Sequence, residues 1–181
     1  MKNFLLRRAQ QPHGRAQRWL ALVGGVVLFW MLVPAALLWL GGWLTIWGKL
    51  PTLPPFGWPL WLGAVLMLVG FLLDLWVVYY QYTQGEGTPS PLVPTQHLVE
   101  EGPFAYTRNA MYMGTLAIYT GLALAVGSVA MLLLVALGAL LVHAYVVLVE
   151  ERELEARFGE AYRAYKRRVP RWLPTRKGSH D

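Results

Sequence analysis

The chain has 181 residues, 56% of them hydrophobic and only 14% charged, where a water-soluble domain carries about 25% charged residues. Sixteen Lys and Arg against ten Asp and Glu leave a formal charge of +6, and there is no cysteine. Disulfides, cysteine-ligated zinc, iron–sulfur clusters and thiol nucleophiles are excluded together, and the balance is that of one membrane unit rather than a soluble domain.

Residues 1–18 form a basic segment with Lys2, Arg7, Arg8, Arg15, Arg18 and no acid. The apolar run behind it is too long for the core of a cleaved signal peptide and reads as a retained anchor. Residues 19–80 are expected to hold two transmembrane helices. The first, 19–40, has no charge and reaches about 33 Å as a helix, enough to cross about 30 Å of hydrocarbon; Pro34 should kink it without ending it. Residues 41–57, with Gly41-Gly42, Trp43, Trp47, Lys49 and three prolines, are expected to leave the helix as a short loop at the far interface. The second span, 58–80, carries one ionisable residue, Asp74, and returns to an interface marked by Tyr79, Tyr80 and Tyr82.

Residues 81–109 are polar, and the stretch from Gly85 to Pro94 is too proline-dense for a helix or a central strand. Residues 110–149 then contain no Asp, Glu, Lys or Arg. As one helix they would reach about 60 Å, twice a single crossing, so they must fold back. Gly127-Ser128 is the natural break, giving a tight hairpin with arms of 111–126 and 129–149. After Val149 the chain turns charged, and Leu154, Phe158, Tyr162, Tyr165 and Val169 recur as one stripe of a 3.6-residue period. One amphipathic helix is predicted over 150–168, stopped by Pro170 and Pro174.

The fold class predicted is therefore an all-α integral membrane protein of about four transmembrane helices plus an amphipathic C-terminal helix. Five basic residues precede the first span and nine follow the last, with Lys49 alone in the far loop and Arg108 in the polar loop. The positive-inside rule puts both termini and the polar loop in the cytoplasm, and a bacterial inner membrane is the expected location. No internal repeat is evident. The basic cluster Lys166, Arg167, Arg168 and Arg171 lies beside the membrane and suits anionic lipid better than nucleic acid.

Polar groups next to apolar spans are informative because a charge persists there only if paired or used. Two places stand out: Gln96 to Gly114, which brings His97, Arg108, Asn109 and Tyr112 to the mouth of a membrane helix, and Glu150-Glu151 at the end of the last span. Adjacent residues on a helix point about 100° apart, so the two glutamates do not form a glycosidase-type couple. Asp74 could join a relay or simply pair with a basic group or a hydroxyl.

The run Gly102-Pro103-Phe104-Ala105-Tyr106-Thr107-Arg108-Asn109-Ala110-Met111-Tyr112-Met113-Gly114, then a hairpin, Glu150-Glu151, Phe158-Gly159-Glu160-Ala161-Tyr162 and Val169-Pro170-Arg171, resembles the isoprenylcysteine carboxyl methyltransferase superfamily, which also includes phospholipid and small-thiol methyltransferases. The resemblance covers 85–174, about half the chain, and rests on the order and spacing of motifs that are individually weak. It implies that 81–181 is a catalytic region with an S-adenosylmethionine pocket, S-adenosylhomocysteine as product, no metal, and a lateral opening to lipid. By position in the motif, Gln96, His97, Leu98, Val99, Phe104, Asn109, Ala110, Met111 and Tyr112 would line the cofactor. Glu150, or Glu151 one step away, would bind its amine or ribose.

Arg108, His143 and Tyr145 are the candidates on the acceptor side, where an amine or thiol would need positioning or deprotonation. His143 is expected to be buried. Two departures narrow the substrate. Asn109-Ala110 stands where the family commonly has His-Pro or Asn-Pro, and the helix stretch just before Glu150, residues 143–149, has no Arg to meet a prenylcysteine carboxylate. The function implied is methyl transfer to a membrane lipid or small hydrophobic acceptor. The competing readings are a non-catalytic lipid-binding or adaptor protein that keeps the fold, a nicotinamide-dependent sterol reductase, for which the chain is short, and, weakest, a transporter.

Overall fold

The computed structural model describes residues 14–54, 56–88 and 93–173. Lys2, Arg7, Arg8, the centre of the proline-dense stretch at 89–92, and Pro174 lie outside them. The described residues are helical with no strand beyond one isolated bridge, Thr52 with Ser128. Three helices are long and apolar enough to cross a membrane, Ala16–Trp47, Trp58–Thr83 and Val129–Phe158, while Ala110–Ala125 is apolar but shorter.

The first of these consists of α1 (Arg15–Val26), a π-helical turn (Val27–Leu32) and α2 (Val33–Trp47). Pro34 explains the wide turn. It lacks an N–H, and its ring crowds the carbonyl four residues back. The Val33 N–H reaches back five residues to the Leu28 carbonyl, so the Phe29 carbonyl faces Pro34 with no donor. An orphan carbonyl is costly in lipid, and the Tyr119 hydroxyl donates to it at 2.6 Å from another helix. Pro34 widens one turn and the helix runs on past it to Trp47, so it does not end the helix.

Helix continues to Trp47, which corrects the expectation that 41–57 leaves the helix at Gly41. Gly41 is a packing position, not a breaker: a Cβ there would lie 2.3 Å from Met131 Cγ. Small residues in membrane helices permit such close approach. The loop is confined to 48–57. It is pinned by the Leu53 N–H donating to the Gly127 carbonyl at 2.8 Å.

α3 (Trp58–Thr83) and α4 (Ala110–Ala125) form the closest pair. They run antiparallel with Gly63 against Gly121 and Gly70 against Gly114. A Cβ on Gly63 would sit 2.5 Å from the Gly121 carbonyl, and one on Gly70 2.5 Å from that of Gly114. Beside this seam Asp74 is buried. Its Oδ2 accepts from the Thr115 hydroxyl at 3.1 Å, and its Oδ1 has no hydrogen-bond partner among the described residues.

α4 turns into α5 (Val129–Tyr145) at Gly127-Ser128, the break read from the sequence. Gly127 has φ +67, a conformation that favours glycine, and Ser128 Oγ accepts from the Met131 N–H at 3.2 Å as an N-cap. A second π turn, Val146–Glu150, follows, then α6 (Glu151–Phe158) and α7 (Glu160–Arg168). The single C-terminal helix expected over 150–168 is thus two. α6 prolongs the last apolar helix, and the chain breaks at Gly159, φ +57, where a C-cap glycine ends one helix and starts the next. The predicted stripe still converges. Tyr162, Tyr165 and Val169 are buried with Val77, Val99, Phe104 and Ala110, and Leu154 and Phe158 pack against them. This cluster sits at the end of the bundle opposite the 48–57 loop and fixes the surroundings of the polar groups there.

Candidate functional site

At that end the polar loop 93–109 meets the last helix and the C-terminal segment. Gly102–Ala105 forms a short 3-10 turn whose Phe104 enters the core, and the Tyr165 hydroxyl donates to the Phe104 carbonyl at 2.7 Å. Burial pushes the Tyr165 hydroxyl above its ordinary range, so it stays a donor.

Glu150 and Glu151 are given different work. The π turn ends on them: the Glu151 N–H reaches back five residues to the Val146 carbonyl. Glu150 Oε2 accepts from the Tyr112 hydroxyl at 2.9 Å, a bond that crosses from α4 to the last helix. Tyr145, five residues before Glu150 and so one wide turn away, lies in electrostatic reach of both.

Glu151 faces the other way and is neutralised. Arg108 Nη1 lies 2.8 Å from Oε1, Arg171 Nε 2.7 Å from Oε1 and Nη2 3.1 Å from Oε2, and Lys166 Nζ 3.5 Å from Oε2. The Arg108 and Glu151 side chains are 8% and 7% exposed. Bonding to Glu151 raises the Arg171 guanidinium further above its already high range, so this cation is permanent. Two charge-assisted bonds from one Arg fix its plane as well as its position.

Arg108 also holds the tail: its Nε donates to the Val169 carbonyl and its N–H to the Pro170 carbonyl, both at 3.0 Å. Asn109 Nδ2 donates to the Arg171 carbonyl at 2.8 Å, and the Thr107 hydroxyl to the same oxygen at 3.0 Å. The Asn109 amide is therefore engaged with the C-terminal segment, and Ala110 beside it is fully buried.

The residues singled out in the sequence thus fall into four groups. Tyr112, Tyr145 and Glu150 come together at one point, and Arg108, Asn109 and Glu151 at a second. Val99, Phe104 and Ala110 are core, with Leu98 and Met111 packed against it. Gln96 and His97 lie in an outlying turn whose N–H groups both reach the Gly85 carbonyl; Gln96 Nε2 donates to the Pro94 carbonyl at 3.2 Å, and exposed His97 sits 3.9 Å from Glu86.

His143 is exposed, contrary to the expectation of burial, because the apolar residues around it face outward from the bundle rather than inward. Its Nδ1 accepts from the Trp172 indole N–H at 3.0 Å. Lys166 and Trp172 had no assigned place in the sequence-derived site. Only Arg171 carried a signal, as part of the Val169-Pro170-Arg171 motif. No group of His, Asp and Glu that could hold a metal occurs among the described residues.

Three apolar helices long enough to span a bilayer, with a carboxylate on the last of them joined to a tyrosine of the shorter α4 at one end, define an integral membrane protein with a polar site at the bundle's mouth. A family model described as phospholipid methyltransferase matches residues 58–161, more than half of the chain, and the chain belongs to that family of membrane methyltransferases. The match takes in all of α3, which the motif resemblance had left out, and stops at Ala161, before the segment that Arg108 and Asn109 hold. No curated protein and no solved structure matches the chain.

Proposed function

We propose that this protein transfers a methyl group from S-adenosylmethionine to a lipidic or small hydrophobic acceptor, with the cofactor held between α4 and the end of the last helix. The observation that carries this reading is the inequality of the two glutamates. Glu151 is matched by three cations, whereas Glu150 is half-buried and hydrogen-bonded by a neutral hydroxyl. A carboxylate in that state attracts a cation, and the cofactor offers a sulfonium and an ammonium. When bound, it supplies a methyl group on positively charged sulfur.

Glu150 would hold the cationic part, and Tyr112 would fix the carboxylate and shape the pocket. Asn109, Arg108 and Glu151 would keep the mouth in position. Tyr145 and His143, both exposed on the last helix, would meet an acceptor arriving from the bilayer. Excluding water and aligning the reacting groups is most of what such a site contributes.

In this reading Ala110–Ala125, about 24 Å long, is the fourth crossing, 81–181 is the catalytic region, and both termini lie in the cytoplasm of a bacterial inner membrane. Calorimetric titration of the detergent-purified protein with S-adenosylmethionine and S-adenosylhomocysteine tests it. Saturable micromolar binding weakened by Glu150→Ala and by Tyr112→Ala is the expected result. A folded protein that binds neither compound would overturn the reading in favour of a lipid-binding or adaptor role.

A further inference from the structure

Residues 169–173 cross the open end of the α4–α5 hairpin. On the α4 side, Arg108 bonds the Val169 and Pro170 carbonyls, and Thr107 and Asn109 bond the Arg171 carbonyl. On the other arm, Arg171 grips Glu151 and Trp172 grips His143. The segment's anchors adjoin the Tyr112–Glu150 pair in the chain: Asn109 lies one helical turn before Tyr112, and Glu151 is next to Glu150.

The two ends are held unequally. The root has four hydrogen bonds to the main-chain carbonyls of 169–171, a partly buried arginine–carboxylate fork, and Val169 in the core. Among the described residues the tip has one neutral bond, Trp172 Nε1 to His143 Nδ1, with exposed His143 on one side and Leu173, 72% exposed, on the other. A single exposed neutral bond breaks far more often than a charge-assisted buried set.

We propose that 169–173 is a hinged clasp, fixed at Arg171 and opening at Trp172, that governs exchange of the cofactor at the Tyr112–Glu150 site. The proposal rests on the function inferred above. It adds Trp172 as a positioning residue in a segment beyond the part of the chain that the family model matches. Exchange of ligand is a step that mobile segments commonly limit. A clasp held by one bond sets its rate without setting affinity, because opening helps entry and exit alike.

The test uses the full chain in detergent and S-adenosylhomocysteine as probe, with association and dissociation followed by surface plasmon resonance. Trp172→Phe keeps the ring and removes the N–H. Both rates should rise about fivefold, the worth of one such bond, with Kd unchanged within about twofold. His143→Phe, which removes the acceptor instead of the donor, should do the same. Hydrogen exchange at 172–173 should quicken while that at 107–110 stays as in the parent, which separates opening of the tip from loosening of the fold. Unchanged rates in both variants overturn the clasp and leave the function standing. Faster dissociation with unchanged association makes Trp172 a wall of the pocket and also overturns it. Failure of the folded parent to bind the probe overturns the function and the clasp together.

Discussion

The α3–α4 seam and the Glu151 cluster hold neighbouring parts of the bundle together by opposite means. In the seam the contact consists of what is missing: Gly63, Gly70, Gly114 and Gly121 let main chains meet where any side chain would intrude. At the mouth the contact consists of charge, with one carboxylate facing three cations from the loop, α7 and the C-terminal segment. Lipid gives apolar helices no hydrophobic reason to associate, so close packing does that work inside the bilayer. At its edge the lower water content strengthens each charged bond. The seam therefore sets the distance between the helices, and the cluster sets the rotation of the last helix that turns Glu150 toward Tyr112.

Several substitutions break or sharpen this contrast. The largest effect is expected from Gly121→Leu. A Cβ there would already lie 2.5 Å from the Gly63 carbonyl, and overpacking of this kind costs upward of about 3 kcal/mol. Thermal unfolding in detergent should show an aggregated protein or one with a strongly lowered Tm.

Glu151→Ala should follow, at about 3–5 kcal/mol, because Arg108 stays buried with its charge uncompensated. Glu150→Gln in the same assay should stay within about 1 kcal/mol of the parent while losing about tenfold in S-adenosylmethionine affinity. Equal losses of stability in the two variants would erase the division of labour between the glutamates. Tyr119→Phe, which leaves the Phe29 carbonyl bare, should cost about 1 kcal/mol, visible as a small fall in Tm.

The smallest effect belongs to Glu160 on α7. Hydrogen bonding from Arg167 and the charge of Arg163 hold its carboxyl below the ordinary range. Its contribution is therefore present above the ordinary carboxylate pKa and lost as pH falls through the lowered value. Full exposure makes it slight. Glu160→Gln should shift Tm marginally near neutrality and progressively less as pH falls below the ordinary carboxylate range.

Much of the scaffold was legible in the sequence. The apolar runs gave the long helices, and a charge-free run twice the needed length had to turn, with Gly127-Ser128 the evident place. What escaped reading were features whose meaning depends on a distant partner. Gly41-Gly42 looks like a breaker until Met131 is set against Gly41. The spacing of seven between Gly63 and Gly70, repeated between Gly114 and Gly121, was in plain view but gains meaning only when the helices are laid antiparallel.

The site was legible in part. Adjacency alone implied that Glu150 and Glu151 diverge. Which one is matched by cations depended on Arg108 and Arg171, one far before them in the chain and one well after. His143 was misread because apolar neighbours predict an apolar environment without saying whether protein or lipid provides it. Gly159 was read as part of a motif, and its positive φ was not foreseen.

The pairing of Leu53 with Gly127, and of Thr52 with Ser128, constrains the order of assembly. Both partners lie in turns at the same end of the bundle, the end away from Glu150. In the proposed four-crossing arrangement neither turn can cross a bilayer once they are joined, so each reaches that side separately, the 48–57 turn with the first two long helices and the Gly127 turn with the last hairpin. The joint closes after both insertions. It is a long-range contact, of the kind whose loop-closure entropy is met late in folding, and it seals two independently inserted hairpins into one body.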